Sequence, residues 1–299
     1  KLIFIVYTIR HTAMKDNFVK NCYKKILSAE SVYDIAIKTP TQSAPKLSFK
    51  LNNNIFIKRE DLQPVFSFKL RGAYNKISKL KNKKHIIAAS AGNHAQGVAM
   101  TCKKRKLDSS IVMPLTTPTI KVNAVKKLGS RVILSGDTYD EAYSFAIKYA
   151  KANNYEFVHP YDDLDVIAGQ GTIAIELLDQ LREHPDYVFI PVGGGGLLAG
   201  MSVYLKSVNP KIKIIAVEAE DSACFNLAYK KGKPTSLTHV GIFADGVAVK
   251  KIGTKTFKLT KDIVDSSITV TTDEICSAIK DLYDETRVIA EPAGALSLA

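Results

Sequence analysis

The stretch that most restricts the fold is Tyr187-Val188-Phe189-Ile190-Pro191-Val192, followed by Gly193-Gly194-Gly195-Gly196 and then Leu197-Leu198-Ala199. A short apolar run bounded by glycine reads as a buried strand, and the apolar residues beyond the glycines resume at helical spacing. The unit is strand, tight turn, helix, which is the building block of a parallel α/β sheet. Four consecutive glycines carry an entropic cost that a plain turn does not require. Their use is close approach, because successive bare N–H groups ahead of a helix N-terminus hold a phosphate.

The same alternation runs through most of the chain. Strands are expected at Asn54 to Arg59, Ile86 to Ala89, Ser110 to Met113, Arg131 to Leu134, Glu156 to His159, Tyr187 to Val192, Ile212 to Val217 and Ile268 to Thr271. Helical spacing fills Ala95 to Lys104, Ile120 to Leu128, Tyr139 to Asn153, Thr172 to Arg182, Leu197 to Lys206 and Glu274 to Tyr283, and Asp16 to Ile37 reads as one or two helices. The pattern predicts a doubly wound α/β architecture with parallel sheets. No fixed-period repeat and no Pro/Ser/Gly-rich linker interrupts it, so the turn cluster Pro160-Tyr161-Asp162-Asp163 is the expected domain seam.

Composition narrows the partners. At 46% hydrophobic and 24% charged the 299 residues are those of a globular protein, and the net charge of +13 suits small anions. The lysines are scattered through helical stretches and form no basic stripe interleaved with aromatics, so no nucleic-acid partner is expected. The four cysteines lie far apart with no Cys-x-x-Cys pair and are expected as buried thiols of a reducing, cytoplasmic compartment. The six histidines show no ligand spacing, and no metal is expected. Leu2 to Ile9 is too short an apolar run to cross a membrane and lacks a cleavage site. Residues 1–13 are expected to be an extension ahead of a natural start at Met14.

Two further stretches carry chemistry. Leu70, Ala73, Tyr74, Ile77 and Leu80 recur at helical spacing, so a helix is expected to begin near Ser67 as its N-cap. Lys69 then lies in a first turn, where the helix dipole disfavours its charge and favours the amine nucleophile. Ile86 to Ala89 leads into Ser90-Ala91-Gly92-Asn93-His94, again a strand running into a small-residue turn and a helix N-terminus, a second anion site with Ser90, Asn93 and His94 as added donors. The glycine run also fits a dinucleotide fingerprint, with Gly194, Gly196 and Ala199 in step and Glu218 at the end of the next strand. A nicotinamide-dependent oxidoreductase is therefore the rival reading, but it gives Lys69 and the Asn93 turn nothing to do. Glu218 and Glu220 are otherwise expected as a solvated acidic loop.

Reactive lysine, asparagine-bearing turn and glycine loop together resemble the fold type II family of pyridoxal-phosphate enzymes, and within it the biosynthetic threonine dehydratases. The resemblance runs from about Lys38 to Ala299. It rests on Lys58-Arg59-Glu60-Asp61, Ser67-Phe68-Lys69-Leu70-Arg71-Gly72-Ala73, Ser90 to Gly97, Val166 to Thr172, Gly193 to Leu197, Val217 to Ala223 and Ala290-Glu291-Pro292-Ala293-Gly294-Ala295.

The resemblance implies that Lys69 forms the Schiff base with pyridoxal 5'-phosphate, that Phe68 packs beside the ring and that Asn93 bonds the ring hydroxyl. Gly193, Gly194, Gly195, Gly196 and Leu197 would hold the phosphate through backbone N–H groups. Ser90, Ala91, Gly92, Asn93 and His94 would bind the substrate carboxylate, and Ala244 to Val247 would line the far side. The implied reaction is deamination of L-threonine to 2-oxobutanoate and ammonia, the first step of isoleucine biosynthesis, with L-serine as the other substrate. Serine racemases of this fold carry a serine where this chain has Ala91, which favours elimination over racemisation. The implied architecture is a small domain of residues 60–160 against a large one of 14–59 and 161–299, assembled as a dimer or tetramer. The family's partner for the pyridine nitrogen and its isoleucine-binding regulatory region would follow Ala299, so either the chain is a fragment or the cofactor lacks that partner, and no feedback inhibition by this polypeptide alone is expected.

Overall fold

The computed structural model describes residues 16–82 and 85–299; the run Leu2 to Ile9, the expected start at Met14 and the extension 1–13 lie outside the described residues. Helix α1 (Asn17–Leu27) opens on Asp16, whose carboxylate accepts the Phe18 N–H at 2.7 Å. A 3-10 turn at Glu30–Asp34 takes up the rest of the stretch expected as one or two helices. An antiparallel pair follows, β1 (Thr41–Ser43) with β2 (Phe56–Lys58), connected through α2 (Pro45–Leu51).

Helix α3 (Lys69–Ile77) leads into the first parallel sheet, whose strands are β3 (His85–Ala89), β4 (Asp108–Met113), β5 (Arg131–Leu134) and β6 (Glu156–Phe157). Their order is β5-β4-β3-β6, and the crossovers run through α4 (Asn93–Arg105), α5 (Thr119–Lys127) and α6 (Tyr139–Ala152). Strand β4 joins one side of β3 and β6 the other, so the winding reverses between β3 and β6. Open α/β sheets bind ligands in the crevice past the carboxyl ends of strands at such a reversal. Here that crevice receives Ser90 to His94 after β3 and His159 to Asp163 after β6.

Helix α7 (Leu164–Gln180) passes to a second parallel sheet of β7 (Tyr187–Pro191), β8 (Lys213–Ala219) and β9 (Ser266–Val270), in that order. Around it lie α8 (Gly196–Val208), α9 (Cys224–Lys231), α10 (Thr254–Thr260), α11 (Thr272–Thr286) and α12 (Pro292–Ala295). Val188, Ile190 and Ile214 of the sheet pack with Ile173 of α7, Leu198 and Met201 of α8, and Phe225 of α9. Each such side chain contributes about 1.5–3 kcal/mol by burial, enough to hold the strand-to-helix turns at the sheet's edge in place.

Three expectations are corrected. Helix α7 starts at Leu164 and not at Thr172, because Asp163 caps it by accepting from Asp165 N at 2.8 Å and Val166 N at 3.3 Å. The glycines that looked like breakers there are packing surfaces: a Cβ at Gly169 would stand 2.6 Å from the Arg71 carbonyl oxygen. Cys22, Cys102 and Cys224 are buried thiols, but Cys276 is exposed. Glu218 is fully buried and no part of a solvated loop, unlike Glu220. Among the described residues no helix is long and apolar enough to cross a membrane.

Candidate active site

Lys69 is the first residue of α3, with Phe68 at the cap position. Ser67, the expected cap, sits one place too early and receives the Lys69 N–H only at 3.4 Å. Neighbouring helices fix this backbone. A Cβ on Gly97 of α4 would stand 3.2 Å from the Lys69 carbonyl, so α4 lies directly on it. Two residues further on, Arg71 is fully buried, and its guanidinium meets Glu60 at 2.8 Å, Glu176 at 2.5 Å and Thr172 Oγ1 at 3.1 Å. Breaking a buried pair of this kind costs about 3–5 kcal/mol, so α3 is anchored firmly to α7.

The Lys69 side chain is partly buried, and its Nζ lies 5.5 Å from the centroid of the Phe68 ring. Among the described residues no carboxylate forms an ion pair with it. Burial pushes its pKa down to about 8, with the charge of Glu291 opposing the shift. The main cause is thus desolvation, where the sequence argument had invoked the helix dipole. Near pH 8 a large share of this amine is uncharged.

The turn after β3 places its groups beside Lys69. Gly92 is the N-cap of α4 and offers no side-chain cap. Ser90 Oγ accepts the Gly92 N–H at 3.2 Å, which leaves the N–H groups of Ala91, Asn93, His94 and Ala95 without an acceptor among the described residues. Asn93 donates from Nδ2 to Glu291 Oε1 at 2.8 Å. His94 is buried, with its Nε2 3.0 Å from the Val158 carbonyl oxygen. A carbonyl only accepts, so the ring proton is on Nε2 and Nδ1 is a buried, unpaired acceptor. Burial, then the charge of Lys69, lowers the His94 pKa to about 3, so the ring stays neutral. The turn therefore presents backbone N–H groups to a ligand, while the His94 ring N–H is committed to Val158.

In the glycine loop the two polarities are separated. The Gly193 carbonyl accepts from Cys224 Sγ at 3.4 Å, and the Gly194 carbonyl accepts from Thr256 Oγ1 at 2.9 Å and Gly253 N at 3.3 Å. None of the N–H groups from Gly193 to Leu198 has an acceptor among the described residues. Gly195 caps α8 in the left-handed region at φ 88°, where a side chain would be strained. The Tyr161 ring lies against Gly194, where a Cβ would be 2.2 Å from it, and Tyr161 in turn stacks edge-on with His159 at 4.6 Å. Phe68 packs against the cluster that contains Val192 and Leu198, which places the loop and Lys69 on one cleft. A run of free N–H groups at a helix N-terminus, with its carbonyls turned away, fits a phosphate. An amine of lowered pKa beside it fits the aldehyde of a phosphorylated pyridoxal.

Glu218 carries the weight of the rival reading and does not support it. Both carboxylate oxygens are occupied, by Phe225 N at 2.8 Å and Asn226 N at 2.7 Å, as a cap on α9. Burial raises its pKa to about 7, and the fully buried carboxylate is closed to a ribose hydroxyl. Sequence reasoning assigned no role to Tyr161, His159, Arg71 or Glu291. Glu291 and Arg71 stood in quoted motifs, but their partners lie far away in the chain.

Fold and site define a class: α/β enzymes that use a lysine amine and a backbone phosphate cradle on one cofactor. The chain belongs to the pyridoxal-phosphate dependent enzyme family, whose model matches residues 32–299. It is 55% identical over 271 residues to the biosynthetic L-threonine dehydratase of Haemophilus influenzae, covering 90% of this chain and 53% of that relative. Among solved structures, the processed form of threonine deaminase isoform 2 from Solanum lycopersicum is similar at 45% identity and a TM-score of 0.92, covering 95% of this chain and 83% of that one. Serine racemase from Dictyostelium discoideum is similar at 33% identity and a TM-score of 0.86, with 92% and 90% covered. The chain spans about half the length of the curated relatives it matches.

Proposed function

We propose that this chain deaminates L-threonine to 2-oxobutanoate and ammonia with pyridoxal 5'-phosphate, as the first step of isoleucine biosynthesis, and deaminates L-serine to pyruvate at the same site. The observation that carries this reading is Lys69, an amine with its pKa lowered to about 8, set in one cleft with two uncapped helix N-termini. The N–H groups of Gly193 to Leu197 hold the cofactor's phosphate, Asn93 bonds its ring hydroxyl and Phe68 packs beside the ring. The N–H groups of the Ser90 to His94 turn hold the substrate carboxylate. Lys69, uncharged, removes the proton from the substrate Cα. The bound cofactor supplies a conjugated sink for the electrons left at that carbon. Ala91 has no proton to deliver from the opposite side, which supports loss of the β-hydroxyl over racemisation. Residues 60–160, which contain the strands β3 to β6, are read as a small domain against 14–59 and 161–299, and the working form as a cytoplasmic homo-oligomer.

The test is chemical. Borohydride reduction of the purified chain with pyridoxal phosphate, followed by peptide mapping, is expected to leave the pyridoxyl group on Lys69, and L-threonine is expected to yield 2-oxobutanoate. Both should vanish in Lys69→Ala, with a rate loss of about a thousandfold or more. Labelling of a different lysine, or threonine turnover that survives this substitution, overturns the reading.

A further inference from the structure

Glu291 starts a helix with its backbone and gives its side chain to another part of the chain. It is the N-cap of α12, followed by Pro292, and makes no side-chain cap to its own helix. Proline after it restricts Glu291 to extended backbone, at φ −64° and ψ 153°. Its carboxylate instead crosses 198 residues of sequence to Asn93 Nδ2 at 2.8 Å. Room for this comes from Gly246, where a Cβ would stand 3.3 Å from Glu291 Oε1 and 2.9 Å from Ala293 Cβ. Beside it Asp245 is paired with Lys121 of α5. Burial, and with it the negative charge of Asp245, raises the Glu291 carboxyl, and the bond from Asn93 and the charges of Lys69 and Lys121 oppose that.

The Glu291 carboxylate accepts this bond, and Asn93 turns its Nδ2 toward it. The remaining Nδ2 hydrogen and Oδ1 are then fixed in direction, whereas an amide without this partner could flip end for end. We propose that Glu291 is a positioning residue: it sets the orientation of the Asn93 amide and, through it, of the cofactor ring. The inference rests on the contact between Asn93 and the ring hydroxyl stated above.

The experiment measures the dissociation constant of pyridoxal phosphate for the full chain and its variants, with no substrate present. Glu291→Ala is expected to weaken binding about tenfold, as loss of an orienting hydrogen bond to a charged group does. Glu291→Gln keeps an acceptor at the same reach but can also donate, so it should recover only part of that loss, with binding between the parent and Glu291→Ala. Asn93→Ala alone should weaken binding about tenfold, and the double variant Asn93→Ala/Glu291→Ala should be no worse than about threefold beyond it, because the two act as a unit. If Glu291→Ala does not fold, as judged by its thermal transition, Glu291→Met takes its place with the same expected loss. Parent-like binding of the folded Glu291 variant, or losses that multiply in the double variant, overturns the proposal. Unchanged binding by Asn93→Ala overturns the Asn93 contact and the proposal with it, while labelling of Lys69 would still stand.

Discussion

Helices α4 and α8 begin bare, while α6 and α11 begin fully capped. Thr138 with Glu141 and Thr271 with Glu274 form reciprocal capping boxes, each satisfying N–H groups at its helix start. At α4 and α8 the cap residues are Gly92 and Gly195, which have no side chain to offer. The contrast separates two uses of one backbone feature. At α6 and α11 a side chain satisfies the helix start; at α4 and α8, whose starts face the cleft, the donors are left open to a ligand. Uncapped starts cost stability, and at α5, whose Pro118 makes no side-chain cap bond, the start is exposed to water instead.

The largest effect that would sharpen this contrast is at Gly194. Gly194→Ala pushes a Cβ into the Tyr161 ring, and overpacking of this kind should weaken pyridoxal phosphate binding about ten- to a hundredfold by equilibrium titration. Parent-like binding would break the claim that the loop is a cradle.

Next is the pH dependence set by Lys69. Its folded pKa of about 8 lies below the ordinary lysine value of 10.5, so below pH 8 the folded chain carries a disfavoured charge. Between about pH 8 and 10.5 the unfolded chain binds more protons, and stability must rise with pH in that window. Lys69→Met should lose that rise and gain about 2 kcal/mol at pH 7, after allowance for the solvent that still reaches the side chain, in denaturant melts of the cofactor-free protein.

The smallest effect belongs to the capped helices. Thr271→Ala should lower stability by about 1 kcal/mol in the same melts and leave cofactor affinity unchanged. A change in affinity there would erase the distinction between the two kinds of helix start.

Much of the fold was legible because it is local. Arg131–Leu134 is a strand with the expected bounds, and Tyr139–Ala152 ends one residue before the expectation. Both follow from hydrophobic period and end signals that act within a few residues. Helix α7 was read short by eight residues, Leu164 against Thr172, because Gly169 and Gly171 carry the same sequence signal whether they break a helix or let another backbone pack on it. Glu218 was misread for a similar reason: an acidic residue after a strand is solvated or buried according to what packs around it, and here α9 closes over it.

By itself the sequence determined the alternation of strands and helices, the run of glycines that leaves N–H groups bare and the lysine at a helix start. These depend on torsion preferences and on spacing along one segment. Tertiary structure decided what those segments do to one another. It lowered the pKa of Lys69 by burial, laid Tyr161 on Gly194, turned the His94 ring to Val158 and brought Glu291 to Asn93. Desolvation and hydrogen-bond pairing depend on which atoms surround a group, and those atoms come from parts of the chain that local pattern cannot connect.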